Sequence, residues 1–301
     1  MIRVFRLLSA FLALFAIALP AAAQNEVTER FSRTSHLDQD GTFDLTNVYG
    51  TIVLTGGTGR DVMIEAVKRV QRPNANAARA LLRMIDIQVT EGANRIEVRT
   101  SVPRPRNFPG SVDYMITLPQ DARVTVRTVS GDIRATNVRG ELLKSVSGDI
   151  EIVDGSSDDV VTASTVSGNV SVRGLKGRTT QLTTVTGNVR VDDVQADRLA
   201  VRAVNGNIEY AGDLARSGRY EFVTHSGDIR LMLSGATGFE VQANSMSGTV
   251  RSDFPIARRS EEGAEGRRGG VTPRGLRGAF GDASAMLVLR AFSGNISVGR
   301  R

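Results

Sequence analysis

Side chains that carry oxygen ligands recur at one fixed place in the sequence, directly after a glycine. This row consists of Asp132, Asp149, Asn169, Asn188, Asn207, Asp228 and Asn295. Calcium prefers such oxygens, and calcium-binding β-roll repeats also place Asp beside Gly. However, the glycine-rich nonapeptide spacing of those repeats is absent, and about half of the row is Asn. We therefore expect the row to make hydrogen bonds at a backbone corner, with calcium binding as the alternative.

Basic residues occupy a second repeated position, four residues before the same glycine. The position holds Arg127, Lys144, Ser164, Thr183, Arg202, Val223, Asn244 and Arg290. A like-charge pair of Arg127 and Lys144 in neighbouring repeats has no evident structural purpose. Our first interpretation of this position is a plain solvated charged face of no binding function. The alternative is a strip for anionic ligands, made of Arg127, Lys144, Arg202 and Arg290.

Residue patterns typical of enzymes are scarce. The two histidines, His36 and His225, cannot make a metal site alone. Adjacent acids at Asp158-Asp159 and Asp192-Asp193 could serve a polysaccharide-cleaving β-helix, but neighbouring residues of a strand point to opposite faces. Because His225 stands where other repeats have valine, an imidazole packed at a corner explains it better than catalysis. We predict no catalytic residue, no metal site and no cofactor.

These positions recur because the chain is built on one repeated phrase, first seen as Val129-Ser130-Gly131-Asp132-Ile133. The glycines of its eight copies are Gly131, Gly148, Gly168, Gly187, Gly206, Gly227, Gly248 and Gly294. They follow one another at 17 to 21 residues until a last interval of 46. A fixed period near 20 residues is typical of solenoids. A ninth, degenerate copy, Val48-Tyr49-Gly50-Thr51-Ile52, lies far upstream.

Apolar residues alternate on both sides of each glycine, as Leu199, Val201, Ile208 and Tyr210 do around Gly206. Period-two alternation across a glycine predicts two short strands joined at a corner, where glycine supplies a positive φ. The third residue before the glycine is always small, which a crowded interior at the bend would explain. One coil buries too few side chains to be stable alone, so the coils must stack. The predicted fold is all-β, a β-solenoid of β-helix or β-roll type with stacked coils of about 20 residues.

The first 23 residues have the pattern of a signal peptide. Arg3 and Arg6 precede an apolar run from Leu7 to Leu19, and Ala21-Ala22-Ala23 is a small-residue cleavage site. Subtracting these two arginines from the formal charge of +6 leaves +4 for the mature chain, which does not indicate nucleic-acid binding. No later segment is apolar enough to span a membrane. We expect a periplasmic or extracellular protein.

The mature chain divides into two predicted regions. Residues 24–120 form an N-terminal β region with a polar lead-in over 24–40, one short helix over 74–84, a hairpin and a Pro-rich surface loop. Residues 121–301 form the solenoid, in which the Gly294 copy closes the last coil. A charged, basic segment over 255–279 is predicted to be a disordered insertion.

The segment from Val112 to Pro119, together with the phrase from Arg127 to Ile133, resembles a family of exported bacterial β-strand-repeat proteins called putative adhesins, whose function is unknown. The resemblance covers about residues 41–298. It implies a β-solenoid or β-roll fold and a cell-envelope setting, and it brings no active site. This sequence departs from the family pattern with His225 and Met246 at the valine position and Thr249 after the glycine.

We expect a non-enzymatic adhesin, or an envelope surface-binding or scaffold protein, that contacts envelope polymers, glycans or another envelope protein. A carbohydrate-active β-helix enzyme is the alternative, and three or more convergent carboxylates in a groove would favour it. Another alternative is a regulatory partner in an envelope-stress system, which would bind through residues 257–277.

Overall fold

The computed structural model describes residues 25–103, 108–258 and 275–301. The predicted signal peptide, the middle of the Pro-rich loop at 104–107 and the middle of the charged segment at 259–274 lie outside the described residues. In chain order the elements are β1 (Asn25–His36), β2 (Thr42–Thr46), β3 (Ile52–Gly57), β4 (Asp61–Arg72), α1 (Ala75–Leu82), β5 (Asp86–Gly92), β6 (Arg95–Ser101), β7 (Gly110–Pro119), β8 (Arg123–Ser130), β9 (Ile133–Thr136), β10 (Arg139–Ser147), β11 (Ile150–Val153), β12 (Ser156–Ser167), β13 (Val170–Arg173), β14 (Lys176–Thr186), β15 (Val189–Asp192), β16 (Gln195–Asn205), β17 (Ile208–Gly212), β18 (Arg219–Ser226), β19 (Ile229–Leu233), β20 (Phe239–Ser247), β21 (Val250–Ser252), β22 (Ala257–Arg258), β23 (Gly275–Phe280), β24 (Ala285–Ser293) and β25 (Ile296–Arg300).

The strands form two large sheets. Sheet 1 has 12 strands in the order β1-β4-β7-β3-β9-β11-β13-β15-β17-β19-β25-β21. Sheet 2 has 13 strands in the order β22-β23-β20-β24-β18-β16-β14-β12-β10-β8-β2-β6-β5. Among the described residues, no helix is long and apolar enough to cross a membrane.

Each coil has one strand in each sheet, joined at its corner glycine, and is named here by that glycine. In the Gly131 coil, β8 of sheet 2 ends at Ser130 and β9 of sheet 1 begins at Ile133. Strands of neighbouring coils pair in parallel and in register, so that Ile133 lies beside Ile150 and Ile150 beside Val170. The predicted β-solenoid is confirmed, in a form flattened into two sheets.

The inward residues of the coils build one continuous core. The positions predicted to face inward are buried, and two neighbouring coils contribute aromatic rings that pack together inside the core. Tyr210 contacts Tyr220 and Phe222 edge to face, with ring centroids 6.0 and 5.6 Å apart. Burial raises the pKa of Tyr210 above its usual value, because the charged phenolate would lose its hydration.

The degenerate upstream copy forms a coil directly beside the Gly131 coil. Its strand β2 pairs with β8, and β3 pairs with β9. The strands between β3 and β8 in sequence cover this end of the solenoid. Of these, β4 and β7 extend sheet 1, and β5 and β6 extend sheet 2. The predicted hairpin therefore lies at the edge of sheet 2.

The predicted helix is confirmed as α1, which is capped by Asn74. The Oδ1 atom of Asn74 accepts hydrogen bonds from the backbone N–H groups of Asn76 and Ala77, at 2.8 and 3.3 Å. The prediction of a lead-in over residues 24–40 missed a strand. In the structure, 12 of these residues form β1, which pairs antiparallel with β4 along its whole length. Its polar outer residues hid the strand pattern, since β1 lies at a solvated sheet edge.

The prediction that the Gly294 copy closes the last coil is wrong. Strand β24 lies between β18 and β20, and β25 lies between β19 and β21, so the Gly294 coil is inserted beneath the Gly248 coil. The Gly248 coil is suited to the end of the stack because aromatic rings cover it. Phe254 lies 5.2 Å from Phe239 and 4.9 Å from Phe280, measured between ring centroids.

The charged insertion is shorter than the predicted 255–279. Strand β22 lies at its start, and β23 at its end pairs antiparallel with both β22 and β20. These two strands extend the edge of sheet 2 beyond the last coil. The rest of the insertion lies outside the described residues.

Candidate functional site

The corner glycines are explained by backbone geometry. A Cβ atom added to any of the eight would lie 1.8 to 2.2 Å from the carbonyl oxygen of the corner glycine in the neighbouring coil. Six of the eight have φ between +142° and +155°. Positive φ was expected from the sequence, but the close approach of one coil to the next was not. Both features require glycine.

The Asp and Asn residues that follow the glycines form a ladder between coils. In each step an Oδ1 atom accepts a hydrogen bond from the backbone N–H of the equivalent residue in the next coil. The N–H of Asp149 donates to Asp132 at 2.9 Å, and the N–H of Asn169 donates to Asp149 at 2.7 Å. The ladder continues without a break to Thr249, whose N–H binds Asn295. The predicted corner hydrogen bonds therefore run to the next coil and not to the local backbone. Asp and Asn interchange because both provide this oxygen.

A hydroxyl column was missed at the sequence level. Ser145, Thr165, Thr184, Thr224 and Ser245 each donate a hydrogen bond to the carbonyl of the corner glycine in the neighbouring coil, at 2.7 to 3.2 Å. The sequence analysis explained only why the side chains at this position are small. The preference for Ser and Thr over other small residues could have predicted the hydrogen bonds.

The second turn of the coil was also missed. Six residues after the glycine, Asn137, Asp154, Gly174 and Asp193 have φ between +50° and +65°. This is the left-handed region, which Asn, Asp and Gly adopt most readily. The recurrence of these three residue types was a signal for the turn that returns the chain to sheet 2.

The four residues of the predicted anion-binding strip are exposed on the outer face of sheet 2, but they do not form one strip. Arg127 and Lys144 are direct neighbours. Ser164 and Thr183 separate that pair from Arg202. Beyond Arg202, one residue, Val223, intervenes before Arg290. The structure therefore places two cationic sites along the solenoid, two coils of neutral residues apart.

A row of apolar side chains runs beside these cations, two residues before each glycine. In spatial order this apolar row is Val129, Val146, Val166, Val185, Val204, His225, Phe292 and Met246. Its apolar members are 38 to 62% exposed. The sequence analysis noted His225 and Met246 as departures but assigned the row no role. Contiguous exposed apolar surface of this kind marks interaction sites.

His225 is not packed inside a corner, as the sequence had suggested. The side chain is exposed on the apolar row, and its ring stacks on that of Phe292 with centroids 4.6 Å apart and planes within 10°. The two residues are 67 positions apart in sequence. They meet because the Gly294 coil inserts next to the Gly227 coil.

A groove of about 790 Å³ lies between the apolar row and the cationic position, over the last five coils in space. Arg202 and Arg290 line one wall, and Val204, Phe292 and Met246 line the other. Small residues, among them Ala203 and Ala291, form the floor. No residue that lines this groove is acidic.

The outer face of sheet 1 has a different charge arrangement. Three residues after the glycine, opposite charges pair between coils: Arg134 with Glu151 at 2.6 Å, and Arg190 with Glu209 at 2.5 Å. The hydrogen bond that Arg134 donates to Glu151 raises the pKa of Arg134, and those that Arg190 donates to Glu209 raise the pKa of Arg190. This ion ladder was expected from the sequence. These charges are paired within the face, whereas Arg251 at the same position lies beside Ser297.

The described part of the chain contains no group of three or more His, Cys, Asp or Glu side chains that could hold a metal ion. Of the acid pairs considered for an enzyme, Asp158-Asp159 lies in β12 and Asp192-Asp193 lies at the second turn. Asp158 forms an ion pair with Arg139 at 2.9 Å, and Asp193 forms one with Arg301 at 2.5 Å.

Register-stacked coils, a corner glycine column and an Asx ladder define an all-β repeat protein of the β-solenoid class. The chain belongs to the Toastrack DUF4097 family, whose model matches residues 81–298. No curated protein matches the chain.

Several solved structures are similar to this chain. A putative adhesin from Bacteroides fragilis NCTC 9343 is 15% identical, with 89% of this chain and 96% of that chain covered and a TM-score of 0.46. A putative adhesin from Parabacteroides distasonis ATCC 8503 is 8% identical, with coverage of 90% and 97% and a TM-score of 0.43. A putative cell adhesion protein from Clostridium sporogenes ATCC 15579 is 9% identical, with coverage of 91% and 100% and a TM-score of 0.28.

Proposed function

We propose that this protein is a non-enzymatic, exported β-solenoid that binds anionic envelope polymers on the outer face of sheet 2, as an adhesin or an envelope scaffold. The observation that carries the proposal is the alignment of exposed cations and exposed apolar side chains on that face. On the opposite face, Arg134 and Arg190 form ion pairs with Glu151 and Glu209. Of the four cations on sheet 2, only Arg202 has an ion pair among the described residues, with Glu221 at 3.7 Å. A cationic face beside apolar surface favours anionic partners.

The length of the face suits an extended partner. Eight coils spaced by roughly 4.8 Å give an apolar row of roughly 34 Å. A polymer that lies along this row can contact Arg127 and Lys144 at one end and Arg202 and Arg290 at the other. Several weak contacts on one chain then combine into strong retention.

The groove supports binding over carbohydrate cleavage. A glycosidase needs a pair of carboxyl groups that flank the scissile bond. The residues that line the groove provide none. The proposal of a protein without enzymatic activity rests on this lining. The regulatory alternative concerns residues 257–277, most of which lie outside the described residues.

The proposed location is the periplasm or the cell exterior. Support comes from the sequence, through Arg3, Arg6, the apolar run from Leu7 to Leu19 and the Ala21-Ala22-Ala23 cleavage site. The sequence contains no cysteine, so the fold does not depend on an oxidising or reducing compartment.

The test is retention of the mature chain, residues 24–301, on immobilised envelope glycans and envelope fractions at low and high salt. A variant with Arg127, Lys144 and Arg202 changed to Ser is expected to lose about tenfold in retention at low salt. The matched control changes Arg134, Arg190 and Arg230 to Ser, which removes the same charge from sheet 1. Equal retention of the two variants, or retention insensitive to salt, contradicts the proposal.

A further inference from the structure

We propose that the groove between the apolar row and Arg202 and Arg290 binds a single-chain anionic amphiphile, that is, one acyl chain with a carboxylate or phosphate head. This inference goes beyond the proposed function, which concerns extended polymers. The two share Arg202 and Arg290. They differ in the aromatic wall, which only the amphiphile requires.

The apolar wall of the groove is exposed. Met246 is 62% exposed and Phe292 is 49% exposed, and both lie next to each other in neighbouring coils. Exposed side chains of this size on a soluble surface indicate a binding partner that covers them. Val204 continues the wall on the far side of His225.

The orientation of the rings favours an acyl chain over a sugar. One face of the Phe292 ring is covered by His225, which stacks on it in parallel. The ring therefore cannot offer that face to a pyranose. Met246 lies beside Phe292 in the next coil, and Val204 continues the wall beyond His225. A flexible hydrocarbon chain packs against such a wall without needing a flat platform.

The size of the groove fits one chain. Its five coils extend over four steps of roughly 4.8 Å, or roughly 19 Å. One leaflet of a bilayer, whose thickness one acyl chain spans, is roughly 15 Å. The volume of about 790 Å³ falls within the usual range of small-molecule sites. Because the groove is concave, the flat surface of a bilayer cannot fill it.

The opposite wall selects an anion. Arg290 forms no ion pair with any described residue, and the partner of Arg202 is Glu221 at a distance of 3.7 Å. No acidic residue lines the groove, so among the described residues the Arg290 guanidinium is the charge left without an ion pair there, while Glu221, outside the lining, partly neutralises Arg202. A phosphate or carboxylate head can accept two hydrogen bonds from one guanidinium group.

The other end of the same face lacks this combination. There the row consists of valines, and the exposed carboxylates of Asp132 and Asp149 lie in the same two coils as Arg127 and Lys144. The first coils thus provide a matched control site within the same molecule.

The first experiment titrates the mature chain with dodecyl phosphate below its micelle concentration, by calorimetry. We expect saturable one-to-one binding, no binding of inorganic phosphate, and at least about tenfold weaker binding of a neutral dodecyl glycoside. Absence of saturable binding overturns the proposal. Binding of anionic vesicles without binding of the monomeric amphiphile also overturns it, since it indicates a bilayer surface as the partner.

The second experiment compares paired variants. Changing Phe292 and Met246 to Ser is expected to weaken dodecyl phosphate binding about tenfold or more, while changing Val129 and Val146 to Ser leaves it unchanged. Arg290→Gln is expected to weaken binding of dodecyl phosphate but not of the neutral glycoside, and Lys144→Gln is the control. Equal losses in test and control variants contradict the proposed site.

The same variants separate this proposal from the polymer-binding function. The Phe292 and Met246 double variant keeps all four cations, so it retains polymer binding if only the amphiphile site is lost. Light scattering on each sample reports self-association. If the mature chain is a dimer that this double variant converts to a monomer, the groove is covered by a second copy and the amphiphile proposal is overturned.

Discussion

The central coils, from Gly131 to Gly227, and the two C-terminal coils, of Gly294 and Gly248, use the same repeat in different ways. Central coils stack in chain order and carry valine on the apolar row, except for the Gly227 coil, which carries His225. The C-terminal coils stack in reversed order and carry Phe292 and Met246 there. The backbone contact is nevertheless the same: a Cβ on Gly227 or on Gly294 would lie 2.2 or 2.0 Å from the neighbouring glycine carbonyl.

This difference shows that the corner does not depend on which coil is its neighbour. Any strand with the same register can pair with the free edge, because the hydrogen bonds between paired strands join backbone groups. The end of the solenoid can therefore change its order and its outer side chains while the core stays the same. A groove with an aromatic wall arises at that end without a new fold.

The largest expected effect is that of an added methyl group at the corner. Gly187→Ala in a central coil and Gly294→Ala in a C-terminal coil place a Cβ 2.0 Å from a carbonyl oxygen in both cases, at positive φ. Each is expected to lower the free energy of unfolding by at least about 3 kcal/mol, by urea denaturation. Gly140→Ala is the control, because nothing lies within 4 Å of its added Cβ. Tolerance of either corner variant would break the equivalence of the two regions.

A core leucine in each region tests the reversed order. Leu182 in the Gly187 coil and Leu289 in the Gly294 coil occupy the same position, and both are fully buried. Each Leu→Ala variant is expected to lose about 3 kcal/mol, since both side chains have coils above and below them. Thermal or urea unfolding measures this. A much smaller loss for Leu289→Ala would indicate that the Gly294 coil is the last in the stack.

The hydroxyl column predicts a smaller effect. Thr184 donates to the carbonyl of Gly168 at 2.9 Å, whereas Ala203 and Ala291 provide no hydroxyl. Thr184→Val is expected to lose about 1 kcal/mol in the free energy of unfolding, and Ala203→Ser and Ala291→Ser to gain up to about 1 kcal/mol. A gain in the free energy of unfolding for Ala203→Ser but not for Ala291→Ser would show that the corners of the central and C-terminal coils differ.

The smallest effect is expected on the outer face of sheet 1. The ion ladder includes Glu209 between Arg190 and Arg230 in the central coils, and it ends at Ser297 in the Gly294 coil. Exposed ion pairs contribute little to stability. Glu209→Gln is therefore expected to leave the unfolding midpoint unchanged within error at moderate salt, with Ser297→Ala as the control. A clear loss would mean that the ladder stabilises the central coils.

Much of the fold was predictable from local patterns. The positions of the corner glycines, the inward residues and the helix α1 follow from period-two alternation, a recurring glycine and an N-capping Asn. The second turn was predictable in principle, from Asn137, Asp154 and Asp193, but was missed. Strand β1 was missed because its polar residues face water at a sheet edge, where alternation is weak.

The candidate site was predictable only in part. Arg127, Lys144, Arg202 and Arg290 were identified as a set, yet their division into two cationic sites depends on which residues intervene in space. The groove was not predicted, because its aromatic wall joins residues from the Gly227, Gly294 and Gly248 coils. Sequence distance gave no indication that Phe292 contacts His225.

By itself the sequence determined the coil: its two strands, its glycine corner and which side chains face inward, because each of these depends on residues within about one repeat. Only the tertiary structure decided which coils are neighbours. Parallel strands of identical register can pair with one another in more than one order, and the choice depends on which coil is best covered at the end of the stack. In this protein the rings of Phe254 and Phe280 pack against Phe239 of the Gly248 coil and cover that coil. That coil is therefore outermost, and the groove forms beside it.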